Sequence, residues 1–253
     1  MENIVAFDKK GRELSIPHWG SVMTCNKIDK NLFPVVERTQ FGTVNVQGVL
    51  ENIQFLMECY GIDCRYNMVT KSVEIKIPFE NSTPDNRDNC AVNVITSLCI
   101  MNKVPIGQLD GFITKLADDN AFNPVLEWIK SRPWDGFDRM RQVCDGVSVP
   151  REYEAMRDIF IRKWCMCSVG MLENTGSLDY EGILVFQGEQ GLGKTAWFKR
   201  ISGQMSKYCT DGLVLDPHDK DTVLTAVGHW MVELGEIDAT FKKNEIAALK
   251  AFF

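Results

Sequence analysis

The chain has 253 residues, room for one large domain or two small ones, and its 45% apolar and 25% charged residues are the balance of a soluble globular protein. A net charge of −6 argues against a protein that coats nucleic acid over its whole surface, while leaving room for a local basic groove. No window approaches the roughly eighteen uninterrupted apolar residues of a membrane span, and Met1-Glu2-Asn3-Ile4 lacks the basic start of a signal peptide, so a cytoplasmic protein with no membrane attachment is expected.

Residues 1–40 contain Gly11, Pro17, Gly20 and Pro34 with little periodicity, and read as an arm with short extended pieces. Between 46 and 60, Val46, Val49, Leu50, Ile53, Leu56 and Met57 fall at helical spacing, and Gly61 stands where a helix-ending glycine belongs. Cys64-Arg65-Tyr66-Asn67 followed by alternating Val73, Ile75 and Ile77 predicts a small hairpin. Three helices are expected at about 87–102, 106–118 and 123–131. The second buries Ile106, Leu109, Phe112, Ile113 and Leu116, and the third starts from an Asn123 cap with Pro124 at its first position.

Pro133-Trp134-Asp135-Gly136 predicts a turn, with Trp134 as its buried anchor in preference to a DNA or nucleotide contact, and Asp135 free to pair with Arg139. A helix over 137–144 and a longer one over 152–172 follow, the latter carrying Met156, Ile159, Phe160, Lys163 and Trp164. Nine cysteines run from Cys25 to Cys209 without zinc-site spacing, so reduced, mostly buried thiols are expected, Cys165 and Cys167 among them.

Beyond residue 175 the pattern changes. Ile183, Leu184, Val185 and Phe186 form a short apolar run of the kind found in buried parallel strands. Gly188-Glu189-Gln190-Gly191-Leu192-Gly193-Lys194-Thr195 then matches G-x-x-x-x-G-K-[ST] at every fixed position. The glycines let successive N–H groups line one concavity that suits phosphate oxygens. Lys194 brings a point charge to the β- and γ-phosphates, Thr195 a hydroxyl to a Mg²⁺ shell, and the helix that follows its positive end. These requirements point to ATP with Mg²⁺.

A second, acidic element is expected on an apolar strand ending near the loop, and His229-Trp230-Met231-Val232-Glu233-Leu234-Gly235-Glu236-Ile237-Asp238 supplies it. Glu236 lies at the strand tip, where a carboxylate can polarise the attacking water. Glu233 is the competing metal-side acid, and Asp238 fits a cap or surface role. Between the two motifs, Asp216-Pro217 predicts the start of a helix carrying Val223, Leu224 and Val227, with His218 on its surface.

The runs Asn123-Pro124-Val125-Leu126-Glu127-Trp128 and Trp134-Asp135-Gly136 with Arg139 resemble the virulence-associated protein E family. So do Phe186-Gln187 joined to the phosphate loop, Trp230-Met231-Val232-Glu233-Leu234-Gly235-Glu236, and the closing Leu249-Lys250-Ala251-Phe252-Phe253. The resemblance covers about 105–253. Members of that family are encoded by phages and mobile elements and are similar to the helicases and ATPases with which such elements replicate their DNA. It implies a protein binding ATP and Mg²⁺ through Gly188, Gly191, Gly193, Lys194 and Thr195, with Glu236 and behind it Glu233 as the acidic site. It also implies DNA as a partner and a homo-oligomer in the full-length form.

The expected fold is α/β: a mainly helical N-terminal region with a small β-hairpin, followed by a partial P-loop ATPase domain of the additional-strand, AAA+-like kind. Its expected segments are 1–104 (arm, helix and hairpin), 105–175 (helices and the Trp-Asp-Gly turn) and 176–253 (P-loop domain). The resemblance also implies later strands, a sensor residue and an arginine acting on a neighbouring subunit. With the sequence ending at Phe253, the ATPase domain is expected to be incomplete, its 183–186 strand short of partners, and hydrolysis by this chain alone feeble. A second reading follows, a nucleotide- or partner-binding relative with little ATPase activity. A primase fits poorly, because Asp118-Asp119 and Asp85 with Asp88 are weak substitutes for clustered catalytic carboxylates.

For DNA, Arg132, Arg139, Arg141, Arg151, Arg157, Arg162 and Lys163 make the segment before the loop locally basic. The competing expectation is a solvated face in which these pair with Asp138, Glu152, Glu154 and Asp158.

Overall fold

Each sheet among the described residues is a two-stranded pair, and helices carry most of the packing. The structure, a computed structural model, describes residues 5–7, 13–15, 26–78, 87–173 and 182–235. These divide into two units, one drawn from Met1–Asn67 and Ser72–Phe122, the other from Met68–Lys71 and Asn123–Phe253.

The first unit opens with two hairpins: β1 (Val5–Phe7) on β2 (Glu13–Ser15), and β3 (Val36–Arg38) on β4 (Val44–Val46), both antiparallel. The short extended pieces expected in the arm are therefore paired with one another. Helix α1 (Leu50–Cys59) starts four residues later than its periodicity suggested, because Val46 is a buried strand residue opposite Val36. The turn between them is held by buried Asn52. Its Nδ2 donates to the carbonyls of Val35 and Gln47, both at 2.7 Å, and its Oδ1 accepts from Val35 N at 3.0 Å. Three satisfied bonds make a buried amide tolerable. At the other end, Ile62 N donates to Met57 O and Gly61 N to Glu58 O, a paired closure that needs the left-handed φ of +65° at Gly61.

The predicted hairpin is β5 (Asp63–Asn67) on β6 (Ser72–Lys76), in a register that sets buried Cys64 opposite buried Ile75. Helices α2 (Arg87–Met101) and α3 (Leu109–Asp119) complete the layer over it. Ile53, Leu56, Ile95, Leu98 and Cys99 lie at its centre with no exposed surface. Leu109, Ile113 and Leu116 are buried as expected, but Ile106 is 40% exposed, because α3 begins only at Leu109 and leaves Ile106 in the preceding turn. Burial pushes the Cys99 thiol up to about 12 and the Cys64 thiol to about 11, so both are poor nucleophiles.

In the second unit, α4 (Pro124–Lys130) has the predicted cap: Asn123 Oδ1 accepts from Val125 N at 3.2 Å and Leu126 N at 3.1 Å. Helices α5 (Met140–Asp145) and α6 (Glu154–Glu173) follow. Helix α5 is shorter than expected, since Asp135 and Asp138 accept from Phe137 N and Met140 N and hold 135–139 in turns. The remaining elements are α7 (Lys194–Ser202), β7 (Cys209–Leu213), α8 (Lys220–Val227) and β8 (Met231–Leu234). The cap of α8 is Asp219 and not Asp216; Asp216 Oδ1 accepts from His218 N at 2.9 Å and shapes the turn before it, where His218 is exposed. Val69, Val125 and Tyr208 form this unit's apolar cluster. No described helix is long and apolar enough to cross a membrane.

Candidate phosphate-binding site

The candidate phosphate loop, 188–195, runs directly into α7. Gly191 and Gly193 take φ of +85° and +81°, a region closed to most side chains, and Gly193 stands at the cap of the helix. Open space surrounds the position a Cβ would take at either glycine. Lys194 Nζ folds back to donate to the carbonyls of Gly188 and Glu189, both at 2.8 Å, which ties the loop into a ring. An ammonium has three donors, so one remains for an anion in the concavity. Glu189, Gln190 and Leu192 are exposed on the loop and contribute backbone N–H groups.

Strand β8 pairs in parallel with β7, setting Cys209 opposite Met231 and Thr210 opposite Val232. Sequence patterning did not reveal β7, because Thr210-Asp211-Gly212 carries neither alternation nor an apolar run. The pairing brings Glu233 to the helix that follows the loop. Thr195 Oγ1 donates to Glu233 Oε1 at 2.7 Å, across 38 positions of sequence. Glu233 Oε2 is buried and has no hydrogen-bond partner among the described residues. Beside it, Lys199 forms an ion pair with Asp211 at 2.8 Å, and the hydrogen bond to Asp211 is the main reason its pKa is raised, with a smaller push from Glu233. A hydroxyl and a carboxylate with an open oxygen are hard-oxygen donors of the kind that suits Mg²⁺. Glu236 and Asp238, and the closing Leu249-Lys250-Ala251-Phe252-Phe253, lie outside the described residues.

The apolar run before the loop departs from expectation. Residues 183–186 join no strand pair among the described residues, and Ile183 and Val185 are 53% and 61% exposed. A buried parallel strand needs neighbours on its edges, and the parallel pair here is made by β7 and β8 instead. Leu184 and Phe186 are half-buried, and Phe186 packs edge-on to Trp197 of α7 with centroids 4.8 Å apart. Trp197 also meets Trp164 of α6, and its Nε1 donates to Val143 O of α5. This aromatic wall fixes α7 from behind; its signal in the sequence was the Trp197-Phe198 pair one turn after Lys194.

The Trp-Asp-Gly turn reverses another expectation. Trp134 is 80% exposed and anchors no core. The turn is held by polar bonds: Arg139 grips both oxygens of Asp135, at 2.8 and 2.5 Å, and the carboxylate also accepts from Phe137 N. The Arg139 guanidinium holds the Asp135 carboxyl well below the usual range. Of the basic residues nearby, Arg157 pairs with Asp158 and Asp145, and Arg162 with Asp138. Arg132, Arg151 and Lys163 make no ion pair with a described residue.

Residues 129–253 match the family model described as the virulence-associated protein E-like domain. The match takes in the Trp-Asp-Gly turn, the phosphate loop and Glu233, and begins just after the 123–128 run. No curated protein matches the chain.

Proposed function

The chain belongs, through residues 129–253, to the virulence-associated protein E-like family, and from that premise we propose that it is a P-loop protein of a phage or mobile genetic element that binds ATP with Mg²⁺ and hydrolyses it in helicase-like work on DNA. The observation that carries this reading is the bond between Thr195 Oγ1 and Glu233 Oε1 beside a buried, unpartnered Glu233 Oε2. A strand acid reaches the hydroxyl of the loop's last residue, where a phosphate-bound cation needs its ligands. In this reading Gly188, Gly191 and Gly193 shape the cradle, and Lys194 neutralises the β- and γ-phosphates. Thr195 and Glu233 would hold the Mg²⁺, which when bound would draw charge from the phosphate oxygens. Glu236 orients and polarises the attacking water, and a neighbouring copy in a homo-oligomer supplies the remaining positive charge.

A second reading, nucleotide binding with little turnover, is favoured by the 183–186 run, which pairs with no strand among the described residues, since a segment without strand neighbours holds the loop less firmly. Titration with Mg-ATP tests what both share. Lys194→Ala should weaken binding on the order of 100-fold or more, because the positive charge that neutralises the β- and γ-phosphates is lost with its remaining charge-assisted bond; equal affinities would remove the proposal. Steady-state ATPase assays with and without DNA then separate the readings. Glu236→Gln should lower turnover and leave affinity nearly intact, as expected of a group acting in the transition state, whereas Glu233→Gln should raise the Mg²⁺ concentration needed.

A further inference from the structure

We propose that Trp134 and Phe137 form a stacking site for the bases of a single-stranded nucleic acid, with Arg132 and Arg141 as the contacts to its phosphates. This rests on the DNA half of the reading above and is independent of the nucleotide half.

Large aromatic side chains outside a core need a reason to be there, and here two stand together, the Arg139 guanidinium lying 5.3 Å from the centroid of the Phe137 ring. Trp134 is 80% and Phe137 57% exposed. They border an open pocket of about 330 Å³ completed by Asp138, Arg139, Met140 and Val143. The indole is already positioned, since Trp134 Nε1 donates to Phe137 O at 3.4 Å, and the Asp135–Arg139 grip holds the turn beneath it. A ring held in place gives up little freedom when a base stacks on it.

The charge around the pair selects the partner. Asp135 is tied to Arg139, Asp138 to Arg162 and Asp145 to Arg157, so the acids of this segment are each matched by a guanidinium. Arg132 has no ion-pair partner among the described residues, and Arg141 has only a 3.9 Å approach to Asp145 while its side chain is 86% exposed. The uncommitted charge flanking the aromatic pair is therefore positive. Two rings, an arginine without an ion-pair partner among the described residues and a second, largely exposed one held only by a 3.9 Å approach to Asp145 match the parts of a sequence-tolerant single-strand site. A stable protein interface needs about 800 Å² from each partner, far more than this pair of rings and its small pocket present. In a duplex the bases are already stacked on one another, so the single strand is the form the rings can hold.

The test uses the full chain with fluorescently labelled oligothymidylate and the same strand in a duplex, alongside Mg-ATP titration. Trp134→Ala, at an exposed position, should weaken single-strand binding roughly ten-fold or more, while Trp134→Phe retains most of the affinity. Arg132→Gln with Arg141→Gln should flatten the salt dependence by about 0.7 per lost phosphate contact. Mg-ATP affinity should not change in any of these variants. The proposal is overturned if Trp134→Ala leaves oligonucleotide binding unchanged, if the wild type prefers the duplex, or if the variant loses Mg-ATP affinity instead, which would make the pocket a base site for the bound nucleotide. Conversion of an oligomer to smaller species by Trp134→Ala, with oligonucleotide affinity intact, would likewise overturn it in favour of a protein contact. Trp134-dependent oligonucleotide binding by a chain that does not bind Mg-ATP would sustain it while the nucleotide reading failed.

Discussion

In the first unit, Ile53, Leu56, Ile95, Leu98 and Cys99 are sealed from solvent, and the polar groups among them, Asn52 and Asn102, have their bonds made. In the second, Val125, Cys144 and Ile161 are sealed, but Ile159, Phe160 and Met166 of α6 and Ile183 and Val185 before the loop keep much of their surface in water. The candidate chemistry lies wholly in the second. On the proposed reading, a loop that opens its backbone to phosphate and a turn that presents a ring to a nucleic acid cannot also be buried in a core. The difference teaches that the first unit is organised for packing and the second for presenting groups.

The sharpest way to break that comparison is Leu98→Ala. Deleting a fully buried leucine should cost about 2–5 kcal/mol, read as a lower denaturant midpoint for the transition reporting the first unit. A loss under about 1 kcal/mol would mean that its core relaxes as readily as a surface. Asn123→Ala probes the second unit through its best-defined local device. Loss of the cap of α4 should cost about 1 kcal/mol, and a zero effect in chemical denaturation would show that α4 is held by packing alone. The smallest expected effect has the opposite sign. Lys103 closes α2 with φ of +58°, where Val104 N returns to Cys99 O at 2.8 Å, the arrangement Gly61 makes without strain after α1. Lys103→Gly should therefore stabilise the first unit by about 0.5–1 kcal/mol; destabilisation would show that the lysine side chain contributes more than its backbone costs.

Much of this architecture was legible in the residues because local rules governed it. The Asn123-Pro124 start of α4, the Gly61 stop of α1, the β5–β6 hairpin and the long α6 each follow from periodicity or from a cap within a few positions. Where the reading failed, a competing interaction lay beyond the local window. Val46 went to a strand because Val36 pairs with it, and α8 starts at Asp219 because Asp216 is spent on the turn before it. Trp134 is exposed because polar bonds, chiefly the Asp135–Arg139 pair, hold its turn with no need of a buried ring.

The sequence by itself determined the candidate phosphate-loop pattern, since its spacing of glycines, lysine and threonine is a statement about backbone freedom and charge within eight consecutive positions, 188–195. It also narrowed the acidic partner to one short stretch. Only the tertiary structure decided which acid meets the threonine, because that depends on a parallel pairing between β7 and β8 that leaves no alternating pattern in 209–213. The same holds for the 183–186 run. Its apolar residues announce a strand, but a strand is a relation between two segments, and hydrogen bonds to a neighbour are not encoded in either segment alone.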